Sequence, residues 1–94
     1  MEPTARLTRR VREDFGADAE LVLAALTELS DVPGVNERVQ AAVVKLARGD
    51  LGRLDVQIRE VQIDWRDVLV AAGFAHEDWS EREDDDLGSN GAGI

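Results

Sequence analysis

The single histidine of this 94-residue chain opens the run His76-Glu77-Asp78, followed by Glu81 and by Glu83 to Asp86. It is the one stretch where imidazole and carboxylates could gather a metal ion. A hard cation held in a loop needs acids at alternating positions, as in D-x-D-x-D-G, so that the backbone can wrap around it. Here the acids are consecutive and run on into Gly-rich sequence, the pattern of a solvated charged stretch, so no metal is expected. Asp64 and Asp67 could be paired for acid–base work, yet both have a simpler use at the start of a helix. Ser30, Ser80 and Ser89 stand in loop or tail contexts with no base beside them. The chain has no Cys, no Tyr and no Gly-rich phosphate loop. Neither an enzyme nor a cofactor is expected from this inventory.

Two constellations remain. Arg6, Arg9, Arg10 and Arg12 crowd one helix and could meet phosphate, an acidic membrane surface or an acidic protein. The same residues can also pair with Glu13, Asp14 or the acidic C-terminal run and lie on a solvated face. Trp65, Phe74 and Trp79, with Arg66 beside Trp65, have the composition of a binding hot spot. Core packing competes for them, with Trp79 folding back over a short helix to seal a small core. The candidate partner-binding residues are therefore Trp65, Arg66 and Trp79, together with Arg6, Arg9 and Arg10.

Helical periodicity must position these groups. Thr4 can cap a first helix to about Phe15, with Leu7, Val11 and Phe15 on one face. After Gly16, Asp18 can cap a second through about Leu29, with Leu21, Val22, Ala25, Leu26 and Leu29 as its apolar stripe. Ser30 to Gly34 is a loop by its turn chemistry. Asn36 precedes a third helix, Glu37 to Arg48, which turns Val39, Val43, Leu46 and Ala47 inward. Asp50 caps a fourth, in which Leu51, Leu54, Ile58 and Val61 keep a clean helical period.

The run IDWRDVLVAAGF, residues 63–74, specifies a fifth helix with both ends written in. Asp64 is its cap and Asp67 a capping-box partner, while Ile63 and Val68 form a hydrophobic staple. Gly73 and Phe74 supply a Schellman stop, with Phe74 folding onto Leu69. Short joints force neighbouring helices together. Beyond Trp79 the sequence SEREDDDLGSNGAGI is polar, and Leu87 and Ile94 alone do not offset the entropy of ordering it.

Composition bounds the rest. The formal charge of −9 falls as +1 over residues 1–15, −4 over 16–75 and −6 over 76–94. A field of that sign makes nucleic acid a poor general partner. The absence of Cys excludes disulfides, zinc–thiolate sites and thiol nucleophiles, and favours a reducing compartment. No segment reaches the roughly 18 apolar residues of a membrane span, and no signal-type apolar region follows the basic N-terminal residues. A cytoplasmic protein without membrane attachment is expected.

The pieces RRVREDF (9–15), ERVQAAVVKLARGDL (37–51) and DWRDVLVAAGFAHEDW (64–79) resemble a family of small uncharacterised helical proteins from actinobacteria and similar bacteria. Its closing motif is D-W-R-D-x-L-V-A-A-G-L/F-x-x-E-D-W, and the resemblance covers roughly residues 5–82. The family carries no assigned activity, so the resemblance implies neither catalytic nor binding residues. The expectation is an all-α, compact single-domain bundle of about five short helices over residues 4–79, with a disordered acidic tail over 80–94. Its function is expected to be that of a non-catalytic protein–protein interaction or regulatory module, binding another protein or a second copy of itself. The alternative is a nucleic-acid-associated regulator working through the Arg face of the first helix.

Overall fold

Side-chain caps open three of the helices as the residue types require. Thr4 accepts from the Leu7 N–H at 3.4 Å, Asn36 from Val39 at 3.3 Å and Asp50 from Arg53 at 3.0 Å. These residues start α1 (Ala5–Phe15), α3 (Glu37–Ala47) and α4 (Leu51–Ala72). The computed structural model describes residues 3–76 and 79–87. α2 (Ala19–Leu29) is entered through one 3₁₀ turn, Gly16–Asp18. Asp18, expected as its cap, makes no side-chain hydrogen bond, because its φ of −89° and ψ of 1° lack the extended backbone a cap needs. The last element is α5 (Trp79–Leu87), and the described residues contain no strand.

α3 is the central helix. Val39, Ala41, Ala42, Val43, Val44 and Ala47 are buried, covering more than one face, as befits a helix surrounded by others. Around it α1 contributes Leu7, Val11 and Phe15, and α2 contributes Val22, Leu26 and Leu29. α4 adds Leu54, Val61, Val68, Leu69 and Ala72. Gln40, fully buried on α3, donates through Nε2 to the Leu26 carbonyl at 3.0 Å and so ties α3 to α2. The radius of gyration is 12.2 Å, matching the roughly 12 Å of a packed chain this long.

Residues 51–72 hold both the fourth and the fifth predicted helices, fused into one kinked element. At the kink Asp64 alone leaves helical geometry, with φ −158° and ψ 102°. Its carboxylate accepts from the Arg66 N–H at 3.0 Å, so Asp64 caps the second arm as expected. The Schellman stop also forms. Gly73 has φ 82°, its N–H reaches the Val70 carbonyl, and the Phe74 N–H reaches Leu69 at 2.9 Å. The staple does not form, since Ile63 is 78 % exposed. One non-helical residue is too short a joint to fold Ile63 back over Val68, and it ends the first arm facing outward. Leu21 likewise leaves the stripe assigned to it. It is 64 % exposed, because α2 packs only on the side of Val22, Leu26 and Leu29.

Helical structure also continues past residue 79. Residues 80–87, assigned to a disordered tail, fold as the body of α5, and Glu83 and Leu87 on it are buried. The apolar residues of this stretch were too few to order it, but its acids find cations on α1. Residues 88–94, the remainder of the expected tail, lie outside the described residues, as do Glu77 and Asp78 of the histidine–acid run.

Candidate functional site

The basic face of α1 meets the acidic helix α5 in a cluster of ion pairs. Arg6 donates to the carboxylates of Glu37 on α3 and Asp84 on α5. Arg10 donates to Asp14 at 2.9 Å, to the Asp86 carboxylate at 2.9 Å and to the Asp86 carbonyl at 2.6 Å. Arg9 reaches the Leu87 carbonyl at 3.2 Å. Arg9 and Arg10 thus place positive charge on the carbonyls that end α5, where the helix dipole is negative. Arg12 pairs with Glu20 at 2.8 Å in an exposed bridge of the kind that contributes at most about 1 kcal/mol.

Within this cluster one carboxyl is out of place. Glu83 is 1 % exposed, and the nearest Arg6 nitrogen stands 3.6 Å from its Oε1, beyond hydrogen-bond length. That oxygen has no hydrogen-bond partner. Arg6 spends its donors on Glu37 and Asp84 instead, and Glu37 also accepts from the Thr4 hydroxyl. Arg6 therefore holds Glu37 well below the usual carboxylate range, while burial and the facing Glu37 push Glu83 up to about 7. Of the two, Glu83 is the carboxyl whose charged form the site disfavours.

The aromatic candidates separate. Trp65 and Trp79 are both partly buried and both pack against the core. Trp65 lies over Gly34 in the α2–α3 loop, so close that a Cβ at Gly34 would stand 2.6 Å from the indole nitrogen. Exposed Arg66 carries its guanidinium 5.7 Å from the Trp65 ring centre and bonds back to Asp64. Trp79 begins α5 under Arg38, whose guanidinium sits 4.5 Å from its ring centre. Phe74 is fully buried with the Lys45 ammonium 4.9 Å from its ring centre.

α3 clamps the link between α4 and α5. Arg38 donates to the Phe74 carbonyl and Lys45 to the Ala72 carbonyl, each at 2.7 Å. Ala72 ends α4, where carbonyls lack a partner within the helix, and Phe74 lies two residues beyond it. Arg38, Lys45 and Glu37 were not singled out from the sequence, and Glu83 only as one acid of the histidine–acid run weighed for a metal ion. The available signal was an unbalanced charge pattern, with a basic first helix and an acidic last segment of opposite sign.

No group of three or more His, Cys, Asp or Glu side chains that could hold a metal ion occurs among the described residues. None of their helices is long and apolar enough to cross a membrane. Comparison with protein-family models, with curated proteins and with solved structures finds no match.

Proposed function

We propose that the chain is a non-catalytic cytoplasmic interaction module that docks a partner protein, or a second copy of itself, on the outer side of α4. The observation that supports this is the placement of the exposed apolar side chains. Of Leu21, Leu51, Val56, Ile63 and Val70, all but Leu21 belong to α4. Val56, Ile63 and Val70 recur every seven residues and straddle the kink at Asp64. Between the two arms runs a shallow groove lined by Val56, Glu60, Asp67 and Ala71. Exposed Arg66 follows the kink directly and adds a cation to this helix, while the Trp65 ring turns towards Gly34. Closing such apolar side chains against another protein releases them from water at about 25 cal/mol per Å².

Replacing Ile63 and Val70 together by Ser tests the proposal. Both side chains are exposed, so stability should change by no more than about 0.5 kcal/mol per site. Self-association in sedimentation equilibrium, or capture of a defined partner, should fall at least roughly tenfold, as expected when a hot spot of more than 1.4 kcal/mol is lost. Unchanged association by both measures would refute the α4 surface.

The nucleic-acid alternative has less support, because Arg6, Arg9 and Arg10 are already engaged by α5. We also propose kinship with the small helical actinobacterial proteins that the closing motif resembles, a kinship that brings no activity with it.

A further inference from the structure

We propose that α5 is a pH-released cover over the Arg face of α1, with Glu83 as the group that releases it. The inference is independent of the α4 surface and rests on how α5 is held. Five of its nine residues are acidic and one is basic, so the helix repels itself. Nine residues are also too few for a helix to stand alone in water, where roughly 12–15 are needed. Its order therefore depends on docking, through the apolar anchors Trp79 and Leu87 and through Arg6, Arg9 and Arg10.

At the centre of that contact Glu83 is buried with one oxygen that makes no hydrogen bond and stands 3.6 Å from Arg6. The charged groups acting on it are Arg6 from α1, Glu37 from α3 and Asp84 beside it on α5. One guanidinium already committed to two carboxylates cannot neutralise a third. While Glu83 keeps its proton, it can donate to Glu37 and the contact stays closed. Once it ionises, a buried carboxylate and the half-buried Glu37 carboxylate oppose each other and α5 is driven off. Departure of α5 exposes Arg6, Arg9 and Arg10 and the apolar seat of Leu87.

The sign follows from linkage. Glu83 titrates higher in the docked state than in a released helix, so its contribution is complete below the ordinary carboxylate value of about 4.3 and is lost as pH rises towards 7. Glu37 is shifted the other way, so its contribution is lost in acid. Docking is therefore tightest in mildly acidic solution.

The experiment uses the full chain carrying Trp65→Phe, which leaves Trp79 as the only indole. Acrylamide quenching of Trp79 and amide exchange are followed from pH 5 to pH 9. The quenching constant should rise at least twofold with a midpoint near neutrality, and α5 amides should lose protection while those of α1 to α4 keep it. Adding Glu83→Gln should abolish the transition, since the amide still donates but cannot ionise. Glu83→Leu, which removes the titration without needing a hydrogen bond, serves if that variant does not fold. A flat profile in the parent chain overturns the proposal. So does an equal transition in both Glu83 variants, which would point to His76 or another group, and so does loss of protection throughout the domain.

Discussion

Gly34 shows how narrowly single residues are constrained here. Its φ of 91° lies where side chains are rarely tolerated, and the Trp65 indole occupies the space a Cβ would need. Gly34→Ala should cost about 1–3 kcal/mol, combining backbone strain with displacement of the ring, as measured by urea unfolding. It should also shift Trp65 emission to the red. Asp64 illustrates a milder constraint. Its carboxylate caps the second arm of α4 from an exposed position, so Asp64→Ala should lower stability by about 1 kcal/mol in the same assay. Both the cap and the Schellman stop at Gly73 were legible in the sequence, because each is a contract among residues a few positions apart. The exposure of Ile63 and Leu21 was not. Which side of a helix stays uncovered depends on what packs against it, and local pattern does not carry that information.

At the scale of elements, the periodic helices came through with boundaries within a residue or two, whereas α5 did not. Read alone, WSEREDDDL has too little apolar surface to pay for its own order. The cations that hold it lie 76–78 positions earlier in the chain, at Arg6, Arg9 and Arg10. Charge complementarity between the two ends is visible in the sequence, but the approach of those ends is a tertiary outcome. The candidate residues divided in the same way. Arg6, Arg9 and Arg10, considered for an acidic partner, meet an acidic helix of the same chain. Trp65 and Trp79 serve the core in part and the surface in part, each with a guanidinium over its ring.

For the whole molecule, the arrangement is a packed four-helix body with a charged helix fastened across its first and third members. The body is held by apolar burial centred on α3, and α5 by two apolar anchors and the guanidinium groups of α1, so the two should differ in local stability. Everything proposed for α5 depends on its contact with α1, and amide hydrogen exchange on a variant without the α1 cations reads that contact out. Arg6→Met with Arg10→Met keeps the aliphatic stems while deleting both guanidinium groups. Glu83 and Leu87 amides should lose at least roughly tenfold of their protection while Val43 and Val61 keep theirs. Protection of α5 equal to that in the unmodified chain would contradict a role for those cations.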